Sequence, residues 1–156
     1  MSSRQTKAWV QLKSDQVLEA IRPCLERGGY NVERGKKFVD KIHRPVLFKE
    51  MGEHDVQYQI DAYHPDHRVV LEVEAGRGGK GNALYRDIVR MSLMVDADYA
   101  AVALPLAYRH RQRSKGQAGS HEVDVPAYDE GRRTMDAIYS SGRLQLPFKG
   151  FLVIGY

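Results

Sequence analysis

Apolar residues recur along this chain in two periods. From Ser14, a residue type suited to capping a helix, Val17, Leu18, Ile21 and Leu25 fall on one helical face, and the glycine pair at 28–29 supplies a stop. Pro23 lacks the backbone N–H that a helix interior needs, so a kink or split is expected there. Residues 45–50, PVLFKE, read as a strand. Over 56–63 the period becomes two: Val56, Tyr58, Ile60 and Ala62 share one face, while Gln57, Gln59 and Asp61 share the other. After the turn HPDH, residues 69–75 alternate again, with Val69, Leu71, Val73 and Ala75 opposed to Val70, Glu72 and Glu74.

The helical period returns behind Asn82, a second capping residue, with Leu84, Ile88, Met91 and Val95 on one side. Residues 99–106, YAAVALPL, form a short buried strand by length and flanks, and a helix near 129–141 and a strand at 148–154 complete the pattern. Together these elements predict an α/β fold, a small sheet with helices on its faces. No repeat or linker interrupts them, and 156 residues with 42% hydrophobic content suffice for a single domain with one core.

Charge adds little beyond permission. A formal net charge of +4 allows a polyanionic partner without demanding one. The single cysteine, Cys24, cannot form an intramolecular disulfide, the first residues hold no apolar stretch of signal-peptide length, and no run approaches the roughly 18 apolar residues of a membrane span. A cytoplasmic protein with no membrane partner is expected.

The acids change the picture more. Glu72 and Glu74 are two apart on a strand and therefore point together, about 7 Å apart along it. If 56–63 and 69–75 form a hairpin around a four-residue loop at 65–68, Asp61 falls opposite Glu72 on that face, with Cβ atoms roughly 5 Å apart. Three such carboxylates repel one another. A divalent cation relieves the repulsion, and an all-oxygen donor set suits Mg²⁺, with Mn²⁺ able to substitute. The plain alternative is the solvated face of an antiparallel sheet. Arg86 and Arg90, on the helix that follows at once, favour the site and are expected to contact DNA.

The order QID, then EVE eleven residues on, then a loop and a helix resembles the PD-(D/E)xK nuclease superfamily. The resemblance covers residues 14–106 and implies a restriction-endonuclease-like αβββαβ core with a mixed central sheet, followed by the helix and strand of 129–154. It implies Asp61 as the first metal-binding acid, Glu72 as the second, and Glu74 at the place where the family usually has lysine, a place where some type II restriction endonucleases also carry glutamate. It further implies that Glu19, on the first helix, matches an acid that supports the metal site in many members. In place of a lysine that orients the attacking water, Glu74 would act as a base or a further metal ligand, with Lys49, Arg77 or Lys80 candidates for a nearby positive charge.

Two other motifs compete for attention. Gly76, Gly78 and Gly81 spell G-x-G-x-x-G between a strand and a helix, the context of a dinucleotide fingerprint. Against it, about half the chain precedes this strand, two glutamates sit beside the supposed anion, and no acid ends the next strand. Gly81 is followed by Asn82, so a P-loop fails too. The glycines serve a connector, or let Arg77 and Lys80 approach a DNA phosphate. Residues 108–119 carry Arg109, Arg111, Arg113 and Lys115 with no acid, which reads as a basic DNA-contacting loop or plain solvated surface; Tyr108 and Tyr128 would either stack on bases or pack on the domain. His64 and His67 flank a turn with no further ligand, and no G-x-S-x-G elbow is present.

The sequence thus predicts a Mg²⁺-dependent endodeoxyribonuclease using Asp61, Glu72, Glu74 and Glu19, acting on DNA, with RNA not excluded. Cutting both strands of a duplex needs two sites, so a homodimer is expected. A nucleic-acid-binding module of the same fold without catalysis is the alternative, and dinucleotide binding at 76–81 is a third reading.

Overall fold

The computed structural model describes residues 11–76, 82–113 and 120–156. Twelve elements carry the fold. In chain order they are α1 (Ser14–Arg27), β1 (Asn31–Val32), β2 (Ile42–Phe48), β3 (His54–Ile60), β4 (Ala62–His64), β5 (Val69–Val73), α2 (Ala83–Ser92), β6 (Tyr99–Leu104), β7 (Tyr108–Arg113), β8 (Ser120–Val125), α3 (Ala127–Ser141) and β9 (Gly150–Gly155). The five-stranded sheet runs β1-β4-β5-β6-β9; β2 with β3 and β7 with β8 form separate two-stranded antiparallel ribbons.

The sheet is mixed. β4 pairs antiparallel with β1 and β5, whereas β5, β6 and β9 run parallel. Parallel neighbours need a crossover, and α2 lies in the connection from β5 to β6 as α3 does in that from β6 to β9. Both faces of the sheet are therefore covered. On one, Val17 and Leu18 of α1 pack with Ala62, Leu71, Val73, Ala101 and Ala103. On the other, Met91 of α2 packs on Val70 and Ala100, and Leu84, Ile88 and Met135 pack on Val102 and Leu104. Among the described residues the class is α/β, with three α-helices and a mixed central sheet.

Several local expectations need correction. Ser14 is the first helical residue rather than the cap; Lys13 precedes it, its backbone N–H donating to Gln16 Oε1 at 2.9 Å. Pro23 neither splits nor ends α1, which runs unbroken to Arg27 before Gly28 and Gly29, the latter at φ 91°. Proline's missing N–H would have reached the carbonyl of Glu19, and both residues lie on the exposed side where water can serve that carbonyl. The strand anticipated at 45–50 begins at Ile42 and ends at Phe48.

More consequential is Asp61. The alternating run 56–63 breaks there into β3 and β4, which belong to different sheets. The basic stretch at 108–119 is also no simple loop: Tyr108–Arg113 is a strand paired with Ser120–Val125. Among the described residues no helix is long and apolar enough to cross a membrane.

Candidate active site

Loop parity decides which acids meet. β4 and β5 pair with Ala62 opposite Leu71, Tyr63 opposite Val70 and His64 opposite Val69, a register that carries Asp61 to the position across from Glu72. Asp61 sits at the bend before β4, and its Oδ2 accepts the Val73 backbone N–H at 2.7 Å. Beyond β5 the ladder continues through the Glu74 N–H, which donates to the Ala103 carbonyl at 2.9 Å, so Glu72 and Glu74 stay on one face. Tyr156, following β9, anchors the same point by donating its hydroxyl to the Glu74 carbonyl at 2.8 Å.

A fourth acid joins from α2. Asp87 is only 1% exposed and lies on the same helical side as Leu84, Ile88 and Met91. Arg86 Nε donates to Asp87 Oδ1 at 3.0 Å, and Arg86 also reaches Glu74 Oε1 at 3.5 Å. Arg90 approaches Asp87 Oδ1 at 3.6 Å and Glu72 Oε1 at 3.9 Å, while donating to the Gln59 carbonyl at 2.7 Å. Four carboxyls thus face two guanidiniums.

That imbalance in a poorly solvated place raises proton affinity. Burial, with the charges of Asp61 and Asp87 behind it, lifts the Glu72 carboxyl well above the ordinary glutamate value, the Arg90 charge opposing. Burial also raises Asp61, against the lowering effect of the Val73 N–H. Glu74 is pushed up to about 7, first by burial and then by its hydrogen bond and repulsion with Asp87, the Arg86 charge opposing. Tyr156 rises to about 12 through burial and the nearby Glu74 charge. Strongly displaced proton affinities grouped on one sheet face make this a candidate functional site.

The remaining sequence candidates divide. Glu19 is exposed on α1, and no hydrogen bond or ion pair joins it to Asp61, Glu72 or Glu74 among the described residues. Arg86 and Arg90 turn toward the acids rather than standing free for a phosphate. Arg109 is likewise engaged: Nε donates to Asp124 Oδ1 at 2.7 Å, and Nη1 lies 3.8 Å from Glu122, both acids supplied by the opposite strand of the ribbon. Arg77, Lys80 and Lys115, as well as Gly78 and Gly81 of the glycine motif, lie outside the described residues, and the side chains of Arg111 and Arg113 are likewise not described. Gly76 has φ 138°, and a Cβ on it would stand 3.1 Å from the Tyr108 ring, so glycine there serves the close passage of Tyr108. His64 is buried, edge-on to Tyr30 at 4.9 Å, and its Nδ1 accepts the His67 N–H at 3.2 Å, which is a packed turn.

Asp87 is not among the sequence candidates, although an acid inside an apolar helical stripe is a visible anomaly. Glu33 also touches the site, donating its N–H to the Asp61 carbonyl at 2.8 Å while its carboxylate pairs with Lys41. No sequence signal marks that contact. Among the described residues no three His, Cys, Asp or Glu side chains already converge as a metal-ion group. The donors are of one chemical kind, carboxylate oxygen, the kind a hard divalent cation takes, but they do not stand grouped as a metal site. Compared with protein-family profiles, with curated proteins and with solved structures, the chain has no significant match.

Proposed function

We propose that this chain is a metal-dependent endonuclease of restriction-endonuclease-like fold that hydrolyses DNA phosphodiester bonds. The observation that supports it is the cluster itself: Asp61 across from Glu72, with Glu74 two residues on and raised to about 7. Asp61 and Glu72 would hold Mg²⁺ or Mn²⁺. Such an ion, when bound, supplies positive charge to a phosphodiester oxygen and acidifies a coordinated water.

The chain's own groups do the rest. Glu74, with a pKa near neutrality, exchanges a proton readily at working pH and is suited to take one from the attacking water. The Tyr156 hydroxyl fixes its backbone, and Arg86, 59% exposed, is placed to turn from Glu74 toward a phosphate oxygen. Duplex cleavage would use two copies of the site and hence a homodimer, which light scattering with size exclusion tests directly.

The deciding experiment incubates the pure protein with plasmid DNA and Mg²⁺ or Mn²⁺, beside Asp61→Asn. Metal-dependent nicking or linearisation is expected, reduced about a thousandfold or more in the variant, the scale on which loss of a member of a catalytic set is felt. Equal cleavage by both proteins would overturn the assignment of Asp61. Binding without cleavage in either metal would favour a second reading, a DNA-binding module without catalysis. The observation behind that reading is Glu74 where the resembled family has lysine, with Arg86 and Arg90 already paired with the acids.

A further inference from the structure

Between β1 and β2 runs the segment ERGKKFVDK, residues 33–41, four cations against two acids. It is a closed loop. The Arg34 N–H donates to the Asp40 carbonyl at 2.9 Å, the Asp40 N–H to the Lys37 carbonyl at 3.0 Å, and the Lys41 N–H to the Phe38 carbonyl at 3.2 Å. Gly35 faces the Asp40 side chain, whose Oδ2 a Cβ at that position would meet at 2.8 Å. Of the acids nearby, Glu26 binds Arg34 at 2.8 Å and Glu33 binds Lys41, while Asp40, half-buried, takes part in no ion pair among the described residues.

The most exposed part of the loop, residues 36–39, carries no acid. Lys36 and Lys37 are exposed and take part in none of the ion pairs found among the described residues. Phe38 is 73% exposed and Val39 84%. An exposed phenyl ring normally wanders among rotamers, but this one is seated: it lies on the His43 ring with centroids 4.1 Å apart and planes 31° apart. One face is held by the protein and the other is open. Beneath the loop lies an open cavity of about 690 Å³ lined by Tyr30, Asn31, Lys41 and His43 among others, and the His43 Nε2 is buried without a hydrogen-bond partner among the described residues.

The loop is joined to the acidic cluster at both ends. Glu33 donates its backbone N–H to the Asp61 carbonyl at 2.8 Å, and His43 pairs across the ribbon with Gln59, whose carbonyl accepts from Arg90. The loop itself carries two lysines outside the ion pairs found among the described residues, and then an aromatic ring seated on His43.

We infer that residues 36–38 form a subsite for single-stranded or unpaired DNA, in which an exposed base stacks on Phe38 and flanking phosphates pair with Lys36 and Lys37. Every base has a π-face, so the contact tolerates any sequence, while a base-paired duplex keeps its faces stacked internally. The inference rests on DNA as the substrate of the proposed nuclease and names the strand form that the site grips.

Fluorescence anisotropy with a labelled 20-nucleotide single strand, and with the same sequence as a blunt duplex, in EDTA, reads binding apart from cleavage. The wild type is expected to prefer the single strand. Phe38→Ala should weaken single-strand binding about five- to a hundredfold with little change in salt dependence. Phe38→Tyr should restore it and Phe38→Leu should not. The Lys36→Ala, Lys37→Ala double variant should flatten the slope of log affinity against log salt by about 1.4, roughly 0.7 for each phosphate no longer neutralised. Single-strand affinity unchanged in a folded Phe38→Ala protein overturns the inference, as does a Phe38→Leu variant that binds like Phe38→Tyr, since then the ring serves only as an apolar contact. The plasmid assay reads the acid cluster and the anisotropy in EDTA reads the loop, so a failure of the nuclease reading appears in the first and a failure of this subsite appears in the second.

Discussion

On the α1 side of β5, Leu71 and Val73 lie against Val17, Leu18 and three alanines, and every one of these residues is apolar. On the α2 side of the same strand, Val70 packs on Met91, but its neighbour on that face is Glu72, 8% exposed, with Asp87 at 1% above it. Both faces are roofed by an amphipathic helix, and both exclude water. The first uses that exclusion for hydrophobic stabilisation. The second places carboxyls where their charges are poorly solvated, which costs free energy unless protons, guanidiniums or a cation offset it. One layer keeps the strand in place so that the other can hold groups at raised proton affinity.

The largest expected effect breaks the stabilising side. Leu71→Ala removes most of a side chain that is 4% exposed and leaves a cavity among Val17, Leu18 and Ala101. A loss of about 2–5 kcal/mol is expected in urea denaturation. Because Leu71 points away from the acids, any cleavage measured well below the transition should persist. A loss below about 1 kcal/mol would show that the α1 layer does not bear this role.

How much of this contrast is legible in the sequence follows from which interactions are local. The register that brings Asp61 to Glu72 follows from an even loop and strand alternation alone, both visible as spacing. The burial of Asp87 is equally visible, as an acid in the stripe Leu84, Ile88, Met91. The break at Asp61 is hidden, because alternation runs on smoothly through 56–63 while β3 and β4 take different partners. The ribbon at 108–125 is hidden for a related reason: in β7, Arg, His and Gln side chains carry no apolar period, and the acids that balance Arg109 belong to β8, 15 residues from it in the case of Asp124. Long-range ion pairs such as Lys41 with Glu33 leave no mark on periodicity at all.

A smaller effect sharpens the charged side through pH. Glu74 has its pKa raised from 4.5 to about 7 in the folded protein. As pH rises past the unfolded value, the unfolded chain loses this proton first, so between about 4.5 and 7 the folded state binds more protons and stability falls with rising pH. Below that window the favourable contribution is fully present; above it, the contribution is lost. The size is up to roughly 3 kcal/mol for a shift of this order, reduced by the partial exposure of the side chain. Denaturation in EDTA at pH 5 and pH 8 should therefore show a drop in the wild type that is smaller in Glu74→Gln. Parallel drops in the two proteins would remove Glu74 from the account.

The smallest effect has the opposite sign to the first and so tests the contrast most directly. Glu72→Gln keeps the shape of a nearly buried side chain and its capacity to donate a hydrogen bond to Asp61, but it can never ionise beside Asp61 and Asp87. Arg90, which loses an interaction at 3.9 Å, retains Asp87 at 3.6 Å and the Gln59 carbonyl at 2.7 Å, so no cation is left unpaired. At pH 8 without divalent cations the variant should match or exceed the wild type in stability, by about 1 kcal/mol, since replacing a buried ionisable group by a neutral one of like shape is often neutral or stabilising. Adding Mn²⁺ should raise the melting temperature of the wild type and not of the variant, closing or reversing the gap, because only the wild type offers the second carboxylate. A destabilisation of Glu72→Gln at pH 8 in EDTA would mean that Glu72 belongs with the structural layer after all, and that the two faces of β5 differ in composition but not in purpose.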